Sequence, residues 1–306
     1  MRFGVHLPHF GPSVSRDGLR RFAQRADELG FHSVWASDHI AWPEQIDSPY
    51  PYTASGAWPA HDPYMPRLEA VATLLFVAGC TEKVHLGTTV MVLGYRPPVQ
   101  TAKQWVTLDV VSGGRAILGV GVGWMREEFE VLGMPSDHRG PRGDEQLEIF
   151  ERLFTDRSPA YAGRYYQFPP LGFEPKPLRG RIPVWVGGEA PAALRRAGRF
   201  GDALHAAHAS PEELAGRWAE VQRHCAEAGR DPAAMELSVR LGLDHTGSSA
   251  RPYALTGGPD EMLARVADYA AVGTTHLLLD ITGGSVDGLI EDMERFAEEV
   301  VPAVTA

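Results

Sequence analysis

Cysteine is scarce in this sequence, which has Cys80 and Cys225 among its 306 residues. Two cysteines so far apart do not form a disulfide framework of the kind that stabilises small secreted domains. No cysteine or histidine spacing is typical of a zinc site either, so we expect no bound metal. The scarcity of cysteine therefore favours a reducing, cytoplasmic environment.

Basic residues are also too few for a protein that binds polyanions. The chain has 29 Lys and Arg against 39 Asp and Glu, a formal net charge of −10, which repels nucleic acid and anionic membrane surfaces. It contains no apolar run long enough for a signal peptide or a membrane span. These absences predict a cytoplasmic protein whose partner is a small molecule, with any phosphate group bound by local geometry.

Short apolar runs alternate with amphipathic helical segments, a pattern that builds a parallel α/β sheet through right-handed crossovers. Eight runs are predicted as strands: residues 3–7, 33–36, 84–92, 116–120, 182–186, 203–206, 236–241 and 276–281. They predict a single (β/α)8 TIM barrel over residues 1–306. The competing fold, an open doubly wound sheet, needs a glycine-rich turn after its first strand. Residues 8–11 (PHFG) are not such a turn, so we favour the barrel.

Two segments interrupt this alternation and are predicted as insertions. Residues 42–66, rich in Pro, Tyr and Trp, follow the second strand at the C-terminal face, where a barrel keeps its active site. We interpret them as a lid or pocket wall. Residues 160–181 precede the fifth strand and carry five aromatic residues among several prolines. This composition predicts a hairpin that either braces the barrel or contacts a substrate.

The second strand ends in the polar residues Ser37, Asp38 and His39, where an apolar strand reaches the catalytic face. A histidine there can transfer a proton near neutral pH, and the adjacent carboxylate can orient a ring or a hydroxyl group. Alternatively, His39 only forms structural hydrogen bonds within its loop. His6 and His9, at the end of the first strand, have a similar pair of interpretations. They either bind substrate and share proton transfer, or one ring is packed inside and the other solvated.

Glycines cluster after two further strands. Gly121 and Gly123 precede Trp124 at the end of the fourth strand, where glycine allows a flat ring or a phosphate to approach the backbone, but equally allows tight barrel packing. Gly187 and Gly188 follow the fifth strand and precede a predicted helix, whose free amides and dipole favour a phosphate. Because both clusters fall at strand C-termini, a barrel would bring them close to the polar end of the second strand.

Four stretches resemble the bacterial luciferase-like superfamily: residues 35–39 (WASDH), 84–90 (VHLGTTV), 112–124 (SGGRAILGVGVGW) and 183–188 (PVWVGG). They occur in the expected order, and the resemblance covers essentially the whole chain. It implies a TIM barrel that binds either flavin mononucleotide, used with molecular oxygen, or the deazaflavin coenzyme F420. The Ser-Asp-His triplet is more similar to the F420 branch, since many flavin monooxygenases of the family have Glu-His-His there.

The resemblance also implies residue roles. It implies that His39 is the acid/base residue. His6 and His9 are further catalytic candidates because they lie at the end of the first strand. It implies a non-proline cis peptide between Thr89 and Val90. Trp124 stands where sugar-phosphate dehydrogenases of the F420 branch have a catalytic glutamate, so a sugar phosphate is not the expected substrate. Cofactor contacts are assigned to eight residues: Asp38, Thr89, Val90, Gly121, Gly123, Trp124, Gly187 and Gly188.

The expected function is hydride transfer between F420 and a small organic substrate by a homodimeric, F420-dependent oxidoreductase. Residues 42–66 are aromatic and nearly free of basic side chains, which favours a neutral or apolar substrate. Two alternatives stay open. One is a monooxygenase that uses reduced flavin mononucleotide (FMN) and oxygen, and the other is a barrel that binds a flavin without catalysis.

Overall fold

The computed structural model describes residues 1–53, 55–58, 62–247, 253–281 and 284–305. Eight parallel strands lie side by side in chain order, and the last pairs with the first. They are Arg2–His6, Ser33–Ala36, His85–Thr88, Ala116–Gly121, Val184–Gly187, Ala203–Ala207, Glu236–Asp244 and His276–Ile281. The sheet therefore closes on itself, which confirms the predicted (β/α)8 barrel. In chain order, the strands are β1 (Arg2–His6), β2 (Ser33–Ala36), β3 (His85–Thr88), β4 (Met91–Val92), β5 (Ala116–Gly121), β6 (Tyr161–Ala162), β7 (Gln167–Phe168), β8 (Val184–Gly187), β9 (Ala203–Ala207), β10 (Glu236–Asp244), β11 (Ala254–Thr256) and β12 (His276–Ile281).

Helices surround this barrel, and the amphipathic pattern of the first explains how they pack. Leu19, Phe22 and Ala26 are buried, and Ser15 caps the helix by accepting a hydrogen bond from the Gly18 amide. No helix in the described ranges is long and apolar enough to span a membrane. The helices are α1 (Arg16–Glu28), α2 (Ala70–Ala78), α3 (Pro98–Val111), α4 (Arg126–Val131), α5 (Arg139–Thr155), α6 (Pro191–Phe200), α7 (Pro211–Glu227), α8 (Pro259–Ala271), α9 (Val286–Glu299) and α10 (Val301–Thr305).

The barrel interior is packed separately from the layer between strands and helices. The outer layer is a continuous apolar core, as expected where a sheet is covered by helices. The interior instead combines apolar and polar groups. The indole of Trp35 stacks on the imidazole of His205, with ring centroids 4.9 Å apart. The apolar interior cluster consists of Trp35, Ile117, Trp185, Ala203 and Leu278.

The third strand differs from its prediction. Residues 84–92 were predicted as one continuous strand, but β3 ends at Thr88 and the chain then departs from the ladder that joins β3 to β2. The peptide between Thr89 and Val90 is cis, which confirms the position implied by the resemblance. When extended structure resumes, as β4, it pairs with β5. The single-strand prediction was wrong because an apolar run does not reveal a change of pairing partner.

Glycines of β5 make room for this interruption. A Cβ atom on Gly119 would lie 1.8 Å from the Thr88 carbonyl oxygen, and one on Gly121 would lie 2.6 Å from Cγ2 of Val90. Neither backbone site can therefore accept a side chain unless the neighbouring strand moves. Of the two interpretations of these glycines, the structure supports barrel packing. Contact between Gly121 and a cofactor stays a prediction.

The predicted hairpin within residues 160–181 is present and is attached to an outer helix. β6 and β7 pair in antiparallel fashion. Glu145 of α5 accepts hydrogen bonds from the amides of Arg164, Tyr165 and Tyr166, at 2.7, 3.0 and 3.1 Å. A carboxylate that satisfies three turn amides fixes the hairpin to the barrel exterior. This arrangement favours the bracing role over contact with a substrate.

Residues 42–66 are described except for positions 54 and 59–61, which lie outside the described residues. The segment is anchored to α4, because Glu127 accepts the amides of Asp47 and Ser48 at 3.2 and 3.1 Å. In addition, the Arg126 amide donates to the Ser48 hydroxyl at 3.1 Å. The segment is thereby held to the helix that follows β5, at the C-terminal face of the barrel.

Candidate active site

Polar side chains from three strand ends meet at the C-terminal face. Nε2 of His6, which ends β1, lies 2.8 Å from the hydroxyl of Ser37, which follows β2. That hydroxyl donates to the carbonyl of Thr89, which follows β3, at 3.3 Å. Arg240 of β10 donates to the same two oxygen atoms at 3.3 Å each. These contacts bring the ends of β1, β2 and β3 together with Arg240 of β10.

His39 is held by a buried carboxylate. Its Nδ1 atom lies 2.7 Å from Oε2 of Glu128, a residue of α4 with no exposed surface. Glu128 also accepts the amides of Ile40 and Ala41, at 2.6 and 3.1 Å, and the Tyr95 hydroxyl at 2.8 Å. An acceptor-only carboxylate at Nδ1 places the proton of a neutral His39 on that atom. Nε2 is then left as the basic nitrogen.

The other side of His39 faces aromatic rings. The indole of Trp42 meets the imidazole edge to face, with centroids 4.5 Å apart, and Trp58 lies 6.2 Å away. Nε2 of His39 makes no hydrogen bond to any described residue, and 18% of the side chain is exposed. This is the geometry of an imidazole with one nitrogen fixed by the protein and the other available to a ligand.

Glu128 was missed by the sequence analysis. It lies in residues 125–129 (MREEF), just after the glycines of β5, but two adjacent glutamates at a helix start are typical of a solvated first turn that complements the helix dipole. The usable signal is position, because this turn follows a strand C-terminus at the catalytic face. The contact with His39 spans 89 residues of sequence, and no local pattern predicts it.

Asp38 is a structural anchor in this barrel. Its side chain is fully buried and forms a two-point ion pair with Arg96, at 2.8 and 2.9 Å. One of its oxygens also accepts the Val92 amide at 3.0 Å. Arg96, which donates as well to Glu69 at 2.6 Å, was not identified from the sequence. Since both Asp38 oxygens bind protein groups, its predicted contact with a cofactor ring stays a prediction.

His6 and His9 are less accessible than His39. Burial lowers the pKa of His6 well below its usual value, and the nearby Arg240 guanidinium lowers it further, against the opposing effect of Asp280. Burial also lowers the pKa of His9, whose two ring nitrogens each lie 3.0 Å from a carbonyl oxygen, of Leu7 and Ser37. Both rings lie among the polar groups at the strand ends. Their catalytic roles stay predictions.

The described part of residues 42–66 forms an aromatic wall with Trp124. The indoles of Trp58 and Trp124 are stacked, with centroids 5.9 Å apart and planes 5° from parallel. Tyr50 lies edge to face against both, at 4.4 and 5.1 Å. Beside them, the Arg67 guanidinium lies 4.1 Å above the Trp42 ring. Flat, apolar faces of this kind suit a planar or hydrophobic ligand.

The residues after β8 form a polar corner at the start of α6. Gly188 has a φ of 111°, a conformation that favours glycine, and a Cβ on Gly187 would meet Val90 at 2.8 Å. Glu189 pairs with Arg217 at 3.0 Å, while Nη1 of Arg217 is buried without a hydrogen-bond partner among the described residues. Oε1 of Glu189 is likewise buried without a partner among the described residues, so this corner holds a carboxylate as well as the guanidinium. The groups here that suit a phosphate are the backbone amides at the start of α6. Contact of Gly123, Gly187 or Gly188 with a cofactor stays a prediction.

The site contains a histidine whose burial has a measurable pH signature. Burial first, and then Arg240, lowers the pKa of His205 from 6.5 to about 3. Between these two pKa values the unfolded chain binds a proton at His205 that the folded chain does not bind. The contribution of this difference to the free energy of unfolding is fully present above pH 6.5 and is lost as the pH drops towards 3. We expect the unfolding free energy of His205→Gln to fall less steeply with acidification than that of the wild type, by about 1.4 kcal/mol per pH unit.

Urea denaturation between pH 6 and pH 4.5 measures this difference in slope. His138→Gln is the control, because 54% of that side chain is exposed, and its slope should match the wild type. Equal slopes for His205→Gln and the wild type would show that His205 is protonated in the folded state.

Comparison with known proteins places the chain in a family. The luciferase-like monooxygenase profile matches residues 1–250, which is well over half of the chain. The chain therefore belongs to the luciferase-like monooxygenase family. This agrees with the four stretches on which the resemblance was based.

Similar proteins include uncharacterised and characterised members. A protein of unknown activity from Mycobacterium tuberculosis (strain H37Rv) is 36% identical over 208 residues, covering 68% of this chain and 71% of that protein. An F420-dependent glucose-6-phosphate dehydrogenase of Amycolatopsis mediterranei is 26% identical, covering 97% and 96% of the two chains. The solved structure of an F420-dependent secondary alcohol dehydrogenase in complex with an F420-acetone adduct has a TM-score of 0.81 at 21% identity, covering 99% and 98%. This structural likeness establishes the shared fold.

Proposed function

We propose that the protein is an F420-dependent oxidoreductase that transfers a hydride between the deazaflavin and a small organic substrate. The observation that carries the proposal is His39, whose Nδ1 is fixed by buried Glu128 at 2.7 Å and whose Nε2 is unpaired within the described chain. The name of the Amycolatopsis relative, which matches nearly the whole chain, supports F420 over flavin mononucleotide. We further propose that the enzyme acts as a cytoplasmic homodimer.

We use the term cleft for the region at the C-terminal face of the barrel where the strand ends and the aromatic wall lie. Its residues fit such a cofactor. Thr89 and Val90 lie where the sheet is interrupted, beside the glycines of β5, and offer backbone and side-chain groups to a ring. Gly188 and the backbone amides at the start of α6 would hold its phosphate. When bound, F420 supplies the ring carbon that accepts or donates the hydride. The protein supplies position, electrostatics and exclusion of water.

His39 would handle the proton that accompanies the hydride. With Nδ1 protonated and donating to Glu128, Nε2 accepts a proton when a substrate alcohol is oxidised and returns it when a carbonyl is reduced. The carboxylate stabilises the imidazolium that forms, and its hydrogen bonds to the Ile40 and Ala41 amides keep it in place. Glu128 thus acts through His39 as a positioning residue.

The proposed substrate is neutral and at least partly apolar. Trp42, Trp58 and Trp124 supply flat faces around the acid/base histidine. Arg240, a basic side chain that donates to Ser37 and Thr89, is already neutralised by Asp280 through contacts of 2.8 and 2.9 Å. Neither feature favours a sugar phosphate. This agrees with the expectation drawn from Trp124.

A side-by-side titration tests the cofactor. We expect F420 to bind in the low micromolar range or tighter and FMN to bind at least about tenfold more weakly, a gap of roughly 1.4 kcal/mol. Isothermal calorimetry on the purified protein gives both constants. Oxygen uptake with reduced flavin, compared with the F420 absorbance change under substrate, then separates the two chemistries. Equal affinities, or a preference for FMN, would replace this proposal by the monooxygenase alternative.

A further inference from the structure

A continuous chain of hydrogen bonds runs through the interior of the barrel to the cleft. Its links measure 2.8, 2.9, 3.0, 2.9 and 3.0 Å in order from the interior to the cleft. We call it the interior chain. Its members are Trp35 (Nε1), Ser33 (Oγ), His276 (Nε2, then Nδ1), Ser238 (Oγ), His205 (Nδ1, then Nε2) and Thr89 (Oγ1).

The interior chain is fully buried at its Trp35 end and slightly exposed at its Thr89 end. Ser33, Ser238 and His276 have no exposed surface, whereas Thr89 is 8% exposed at the strand ends that form the cleft. Burial lowers the pKa of both imidazoles, His205 to about 3 and His276 well below its usual value. Both rings are therefore neutral at physiological pH. Each then has one N–H donor and one accepting nitrogen.

The number of available hydrogens limits the direction in which the interior chain can donate. Trp35 is a donor only, and each of the other five members contributes one hydrogen, so six hydrogens serve five links. If every link uses a hydrogen from the side nearer Trp35, then Ser33 donates to Nε2 of His276, and each later member donates onward. The hydrogen left over is that of the Thr89 hydroxyl. It sits at the end of the chain that reaches the cleft.

The opposite orientation is unfavourable. If His276 donated to Ser33, that hydroxyl would accept from both neighbours and its own hydrogen would need another acceptor. Ser33 Oγ has no further hydrogen-bond partner among the described residues, and it is fully buried. A buried hydroxyl without an acceptor is costly, whereas Thr89 can donate to a ligand or to water.

We propose that the interior chain holds the Thr89 hydroxyl as a hydrogen-bond donor into the cleft, so that this point binds an acceptor atom of the ligand, a ring nitrogen or a carbonyl oxygen. Trp35 at the far end sets the direction. The four members between them are positioning residues, because they act through Thr89. The orientation is a property of the protein alone, and only the identity of the ligand rests on the proposed function.

Histidine tautomers in the ligand-free protein test the orientation directly. The interior chain requires the proton of His205 on Nε2 and the proton of His276 on Nδ1. Two-bond ¹H–¹⁵N correlation spectra of ¹⁵N-histidine-labelled protein distinguish the two tautomers, with His205→Gln and His276→Gln for assignment. We expect these tautomers unchanged from pH 5.5 to 8. The reverse pair, or a ring that titrates in this range, would overturn the inference.

Ligand binding tests the donor at the end of the chain. Thr89→Val keeps the shape of the side chain and removes the hydroxyl, and we expect it to weaken binding of oxidised F420 about three- to tenfold. Thr89→Ser should stay within about twofold of the wild type. Thr88→Val is the matched control, since the neighbouring hydroxyl donates to the Gly119 carbonyl at 2.7 Å and should not affect affinity.

The outcomes separate this inference from the proposed function. If both Thr89→Val and Thr88→Val bind F420 as tightly as the wild type, the Thr89 hydroxyl is not a hydrogen-bond donor to the ligand. If the wild type itself does not bind F420, the proposed function fails, and the tautomers of His205 and His276 alone decide whether the interior chain is oriented as described.

Discussion

Replacing His39 by alanine is expected to lower turnover by about 10²- to 10⁴-fold, or about 3 to 5 kcal/mol of barrier, the range that general acid/base catalysis contributes. Cofactor affinity should change far less. The reason is the geometry of the ring, in which Nδ1 is fixed by Glu128 at 2.7 Å and Nε2 is unpaired within the described chain. Removing the ring would remove the proposed proton carrier and leave the residues proposed to hold the cofactor in place.

Turnover at saturating F420, the F420 dissociation constant and the melting temperature should be measured on one preparation. His138→Ala, which removes an exposed imidazole, is the control and should keep wild-type turnover. A purely structural His39 would instead give a lower melting temperature with an almost unchanged rate per folded molecule. If His39→Ala keeps more than about a tenth of wild-type turnover, the assignment is wrong and His6 or His9 becomes the next candidate.

Arg96→Met is expected to lower the free energy of unfolding by about 3 to 5 kcal/mol, the cost of breaking a buried ion pair by removing one partner. Asp38 has a fully buried side chain and pairs with Arg96 at 2.8 and 2.9 Å. Without the guanidinium, the Asp38 carboxylate keeps the hydrogen bond that the Val92 amide donates but has lost its ion pair. Methionine fills similar volume, so the loss comes from the uncompensated charge more than from a cavity.

Urea denaturation at pH 7 measures this effect. The double variant Arg96→Met/Asp38→Asn removes the stranded charge and should recover more than half of the lost stability. Arg126→Met, which removes an exposed guanidinium paired with Glu127 and Glu130, should cost about 0 to 1 kcal/mol. A loss below about 1 kcal/mol for Arg96→Met would mean that Asp38 becomes hydrated, either because water enters the site or because a conformational change exposes the carboxylate.

The barrel was predictable because its evidence is local. Each buried strand is a short apolar run, and the helices carry stripes such as Leu19, Phe22 and Ala26, so the order of elements follows from periodicity. The prediction of the third strand was wrong at the turn after Thr88, because the hydrophobicity of a segment does not report its pairing partner. β11, which extends the sheet beside β10, was also missed, since three residues carry too little pattern.

The candidate site was predictable only where it is contiguous in sequence. Asp38 and His39 stand out because polar residues follow an apolar strand at the catalytic face. Their partners do not, because Arg96 and Glu128 lie 58 and 89 residues further along the chain. Such contacts depend on the register of the closed barrel. The interior chain has the same origin, since Ser33 and His276 are brought together across 243 residues.

The short helix α4 ties the aromatic wall to His39. Glu127 binds the amides of Asp47 and Ser48 in the wall, and the next residue, Glu128, binds the ring of His39. Adjacent carboxylates on one helical turn thus hold both the wall and the imidazole of His39. One short helix therefore fixes the position of the wall relative to the imidazole, and a substitution that loosens α4 would release both.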